Sequence, residues 1–187
     1  RLVSVKWPVP FKYPTGHRVQ TGQGWVVREG HDLVVVGYGP WLLSNAWHAI
    51  EGLSHDDGVS IRLINLPWLN RVDPAWLTEA IGDCRSVVLL DNHYAHGGQG
   101  EMLAAAISEL ALDPVVRVTR LGVTELPVCG TNDEVLEYHG LDVDSLTASF
   151  KSALGSRLPR AVVPQRMIVL FWDIDGTLLT TGRAGVF

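Results

Sequence analysis

Asp173 and Asp175 are the residues of this chain most plainly arranged for chemistry. They end an apolar run, Met167 to Trp172, and stand two positions apart, so in an extended backbone both carboxylates face the same side. The end of a strand in a parallel sheet is where such folds place their sites. Two carboxylates there can hold Mg²⁺, a hard ion that prefers oxygen ligands. Gly176 allows the turn that follows and Thr177 helps to fix it. The plainer alternative is an ordinary Asp-Gly turn.

Two glycine-containing turns also have chemical potential. Gly37-Tyr38-Gly39 lies between an apolar run and a helical pattern, as a dinucleotide fingerprint would. Its third glycine is replaced by Leu42, and Asn65-Leu66 stand where the ribose-binding acid would end the next strand. A tight strand-to-helix turn is the expected role. His96-Gly97-Gly98-Gln99-Gly100 occupies a second crossing of this kind, where backbone N–H groups could bind an anion. Glu101 puts a negative charge where a phosphate would sit, which favours a packing or interface loop; His96, Gly97, Gly98 and Gly100 are the candidate contact residues. His93 and His96 have no third ligand nearby and make a poor zinc site.

The elements that must position these residues are legible from periodicity. DLVVVGY (32–38), SIRLINL (60–66), SVVLLDN (86–92) and PVVRVTRL (114–121) read as strands, the first a β-branched run buried on both faces. GWVVRE (24–29) is a shorter strand. Helices are expected from Pro40 to about Ser54, from Pro74 (capped by Asp73) to about Asp83, and over 100–112, 132–138 and 144–154. His93 to Gly100 reads as a loop. Strands alternating with helices predict an α/β three-layer sandwich with a mostly parallel sheet of about five strands.

Apolar residues make up 47% of the 187 and charged residues 19%, the balance of an ordered globular protein. A chain this long buries roughly 70% of its unfolded surface and needs no disulfide or metal staple. Residues 1–30 carry a net charge of +4, 31–156 a net of −11 and 157–187 a net of +2. The acidic body argues against nucleic acid. No apolar run reaches the roughly 18 residues of a membrane span. Cys84 and Cys129 lie 45 positions apart, which excludes a C-x-x-C motif and suggests a reducing, cytoplasmic setting. Seven tryptophans exceed what one core needs, and Trp41 and Trp68 lie near strand ends, where an exposed aromatic suits a protein interface.

The runs GQGWVVREGHDLVVVGYGP, IRLINLPWLNRVDPAWL, SVVLLDNHYAHGGQGEML and RLGVTELPVCGTNDEVLEYHGLD, in that order over about 21–156, resemble the C-terminal domain of transketolase-like enzymes. That group includes transketolase, 1-deoxyxylulose-5-phosphate synthase and the beta subunits of 2-oxoacid dehydrogenases. Two positions depart from its pattern: Asn70-Arg71-Val72 stands in place of Lys-Pro-Leu, and Asp91 in place of Glu. The resemblance implies a parent enzyme using thiamine diphosphate, with the cofactor and its metal held by other domains. This domain would support a homodimer, or dock on a partner catalytic subunit, and border the active-site entrance. No GDG-type metal motif with a distant Asn occurs, so no cofactor-binding residue is carried over.

MIVLFWDIDGTLLTTG (167–182) resembles the opening of haloacid-dehalogenase-like hydrolases. That resemblance implies Asp173 as nucleophile, Asp175 as general acid/base and Mg²⁺ as cofactor. The expected organisation is an extended arm over 1–20, the transketolase-like domain over 21–156, a linker over 157–166 and the start of a hydrolase domain over 167–187. The chain begins at Arg1 and stops soon after the second motif, so it reads as a fragment expected to be inactive alone. A fused phosphohydrolase and a non-catalytic docking module are the alternative readings.

Overall fold

Alternate residues of each inner strand face opposite ways, and both sets are apolar, so the sheet must be covered on both sides. The computed structural model describes residues 8–12 and 15–155, all within one unit, Arg1–Ser156. The strand expected over 167–172, with Asp173, Asp175 and the linker, lies outside the described residues.

The elements run β1 (Trp25–Arg28), β2 (Leu33–Gly37), α1 (Pro40–Asp56), β3 (Ile61–Asn65), α2 (Pro74–Ile81), β4 (Ser86–Tyr94), α3 (Gln99–Glu109), β5 (Arg117–Val123), α4 (Asn132–Tyr138) and α5 (Val143–Gly155). The sheet order is β1-β3-β2-β4-β5. Only β1 is antiparallel, and it closes one edge against β3; β5 forms the other edge. The three-layer α/β fold with a mostly parallel five-stranded sheet is as the pattern predicts.

Leu33, Val35, Ile61, Leu63, Val88 and Leu90 point to one face, where they pack with α1 and α5. Val34, Val36, Ile64, Val87 and Leu89 point to the other, against α2 and α3. The split follows from handedness. β2 leads to β3 on one side, then the chain crosses back over β2 to reach β4, so right-handed crossovers put α1 on one face and α2 and α3 on the other. β2 is therefore the strand at which the winding reverses.

Two strands differ from the expectation. β4 continues to Tyr94, beyond Asn92, and β5 begins at Arg117 and ends at Val123. The extra length of β4 is a bulge. Leu90 pairs with Leu121 and Tyr94 with Val123, so four positions of β4 span two of β5. A bulge keeps pairing while re-aiming side chains, which alternation alone does not reveal.

The arm is less detached than its composition suggests. Phe11 is buried in the α1–α5 core and its ring lies 6.2 Å from that of Trp47. Gln23 Nε2 donates to Asp73 Oδ2 at 2.9 Å, while Asp73 Oδ1 accepts from the amides of Ala75 and Trp76 at 3.0 and 3.3 Å, the expected cap of α2. Trp68 Nε1 donates to the carbonyls of Gln20 and Gln23. These bonds carry the chain from the arm into β1.

Phe150 of α5 is fully buried against α1 and the sheet. Phe150→Ala is expected to lower unfolding free energy by about 3–5 kcal/mol, read from urea denaturation. A loss below about 1 kcal/mol would mean that α5 contributes little to this core.

Candidate functional site

The end of the sheet where the winding reverses carries the site. Gly37 is level with Asn65 of β3 on one side and with Leu90 of β4 on the other. Beyond that level the three strands open into the turns at 38–39 and 66–69 and into the β4 bulge. In a doubly wound sheet the ligand crevice lies at this reversal, outside the carboxyl ends of the strands.

Asp91 sits in the bulge and is fully buried. Its Oδ1 accepts from the Gln99 amide at 2.9 Å and from the Tyr38 hydroxyl at 3.3 Å; its Oδ2 accepts from the Gly100 amide at 2.7 Å. Those amides open α3, and the N-cap residue Gly98 has no side chain to satisfy them. Asp91 thus supplies the missing cap, and its charge meets the positive end of the helix. Burial pushes the Asp91 carboxyl above the usual carboxylate range, against the pull of the Gly100 and Gln99 amides, Tyr38 and His93.

The glycines of the loop follow from this contact. A Cβ on Gly98 would lie 2.8 Å from the Asp91 carboxyl carbon, and one on Gly100 would lie 2.6 Å from Oδ2. Gly122, opposite the bulge in β5, would meet the His93 carbonyl at 3.0 Å. Gln99 is buried as well, and its Nε2 donates to the carbonyls of Leu66 and Trp68 at 2.8 and 2.9 Å, fastening the end of β3 to α3. Glu101 Oε2 accepts from the Gly97 amide at 2.6 Å, which holds its carboxyl below the usual range. Glu101, in the first turn of α3, therefore also closes the loop.

Of the four candidate loop residues, His96 and Gly97 are exposed, Gly98 is half-buried and Gly100 is buried. The inward glycines serve packing, which leaves His96 and Gly97 for any contact. Gly37-Tyr38-Gly39 is a tight turn with Gly39 at φ +83°, as expected. His93 is exposed and turns into a groove of about 440 Å³ at the strand ends, which Phe11, Trp41, Asn65 and Leu69 also line.

Thiamine diphosphate and its metal do not fit these residues. The α3 N-terminus, one of the places at this end of the sheet where a diphosphate could sit, is filled by Asp91. Among the described residues no group of three or more His, Cys, Asp or Glu could hold a metal ion. Nor is any described helix long and apolar enough to cross a membrane. Reading the sequence missed Asp91 as a structural ligand, and also Asn65, Asn92 and Gln99.

The family model for the transketolase C-terminal domain matches residues 22–146. Transketolase of Mus musculus is 31% identical over 142 residues, covering 74% of this chain and 22% of the relative. One of the subunits of apulose-4-phosphate transketolase from Actinobacillus succinogenes is 26% identical over 127 residues, 67% of this chain and 40% of that subunit. The chain thus spans about a fifth of the mouse enzyme and two fifths of the bacterial protein. A solved split-gene transketolase, described as an "inactive beta4 tetramer", superposes with a TM-score of 0.69 at 27% identity, over 78% of this chain and 46% of that one.

Asp91→Asn keeps the shape but turns an N–H₂ toward one of two amide donors. At neutral pH it is expected to cost about 1–3 kcal/mol in urea unfolding. A raised native carboxyl binds its proton more tightly than the unfolded chain does, so the wild type gains stability from this group as pH falls through the raised value. The gap between wild type and Asp91→Asn should therefore widen toward acid. A gap that narrows would mean that burial does not dominate at Asp91.

Proposed function

The chain belongs to the transketolase C-terminal domain family, and from that premise we propose that it is the C-terminal section of a thiamine-diphosphate-dependent, transketolase-like enzyme. Its role there is to support assembly and to border the active-site entrance, while other domains hold the cofactor. The observation that carries this reading is the self-filled end of α3. The amides that open α3 already hold Asp91 in place of an outside anion. The covalent chemistry of the reaction then lies outside this domain, which supplies a rigid wall with His93 and Tyr94 exposed at its rim.

The assembled form is a homodimer or a complex with a catalytic subunit. Two similarities support it: a relative whose name makes it one subunit of a transketolase, and a split-gene transketolase described as a tetramer. The exposed pair of His96 and Gly97 is the proposed contact zone. Calorimetric titration of this chain with thiamine diphosphate and Mg²⁺ should show no binding heat. In the full enzyme, His96→Glu should weaken the dimer by light scattering. Micromolar cofactor binding would overturn the division of labour, and an unchanged dimer would remove the loop from the interface.

A second reading rests on the D-x-D-G-T run at 173–177, which lies outside the described residues. In it, a haloacid-dehalogenase-like domain follows, with Asp173 as nucleophile and Asp175 as general acid/base beside Mg²⁺. The nucleophile alone accounts for little of such catalysis, which needs positioning and charge stabilisation from the rest of the site. The present chain should not hydrolyse p-nitrophenyl phosphate. A chain extended through a complete hydrolase domain should, and Asp173→Asn should abolish that activity. Full turnover by Asp173→Asn in the extended protein would exclude the nucleophile.

A further inference from the structure

Asn65 has no part in the role just described, yet its placement is unusual. It ends β3 at the winding reversal and is only 8% exposed. Its backbone is level with Gly37 and Trp25 in the sheet. Its carboxamide lines the groove and has no hydrogen-bond partner among the described residues. Its polar atoms are not among the fully buried ones left without a partner, so the donor and acceptor open onto the groove, where a bound molecule can take the place of water.

The surroundings define that partner. The groove is about 440 Å³, within the range of roughly 300–1,000 Å³ typical of small-molecule sites. Phe11, Trp41, Pro67 and Leu69 give apolar walls, two of them aromatic, and Asn92 and His93 add polar groups from the bulge. Among the described residues no Lys, Arg, Asp or Glu lines it. Asp91, the buried carboxylate of the bulge, is engaged by the Gln99 and Gly100 amides. Among the described residues an anionic ligand would thus find no Lys or Arg as countercharge, and a cation no carboxylate.

We propose that this groove is a binding site for a neutral, planar nitrogen heteroaromatic whose edge carries a donor beside an acceptor, of the aminopurine type found in adenosine. The Asn65 carboxamide presents one acceptor and one donor side by side, the complement of an adenine edge read through its N6 amine and N7. Aromatic walls suit the faces of such a ring. In dinucleotide-binding sheets an acid at this strand end holds a ribose. A carboxamide there removes the charge and shifts recognition toward the base.

The test uses the whole chain and adenosine as probe. Titration followed by ¹H–¹⁵N spectra should shift the Asn65 side-chain N–H₂ pair and the Trp41 indole N–H saturably. Asn65→Leu should weaken binding roughly tenfold or more, the loss of one bidentate pair, with near-ultraviolet circular dichroism as the control for folding. AMP should bind no tighter than adenosine. The proposal fails if the Asn65 pair does not move at millimolar adenosine, or if Asn65→Leu binds equally well. It also fails if AMP binds about tenfold tighter, or if the same signals shift with protein concentration alone, which would make the groove a contact between copies. The wild-type spectra decide the matter if Asn65→Leu does not fold. Failure here leaves the assembly role untouched, since that reading rests on the α3 terminus and on the loop at His96.

Discussion

The buried carboxylate of Asp91 at the start of α3 is the contact on which the site end of the molecule depends. It satisfies two helix-terminal amides that Gly98 cannot, and it draws in the Tyr38 hydroxyl from the turn after β2. Gln99, placed by the same helix start, fastens the end of β3. One anion thereby sets the relative positions of three strand ends. The cost of burying a charge is offset by donors that were otherwise unsatisfied, which is the condition under which such burial is tolerable. The glycines that surround it leave room for this contact and for little else.

The scaffold was legible in the sequence because its signals are local. A β-branched run such as LVVV at 33–36 reads as a two-faced strand. Asp73-Pro74 reads as a helix start, and Asp73 does cap α2. What escaped was long-range. Nothing local distinguishes Asp91 as a helix cap eight residues from its partner, nor the bulge that directs it inward. Phe11 sits among prolines and basic residues, yet its burial is decided by α1, far along the chain. Asn65 was legible only as an exception to a nucleotide-binding pattern. Its buried position against the groove depends on how β2, β3 and the arm converge. Asp173 and Asp175, the clearest chemical signal in the sequence, lie beyond the described residues.

Family membership and this geometry together separate two roles that a three-layer fold can combine. Sheets of this type often use the helix N-terminus at the reversal to hold phosphate. Here the start of α3 is filled from within, and the remaining concavity is mostly apolar, with no Lys, Arg, Asp or Glu among the described residues that line it. One helix start of this architecture is thus taken up by a single side chain, and fold alone would not reveal it.

The two margins of the sheet have unequal prospects. β1 runs against β3 and is latched by the arm through Trp68 and Asp73, so that margin is finished. β5 is seven residues long and pairs on one side only among the described residues. A bare strand of that length is a template for pairing with another chain. Arg117 and Arg120 lie along it on opposite faces of the sheet, and charged side chains on an edge strand discourage such pairing. One margin is thus finished by pairing and the other by charge.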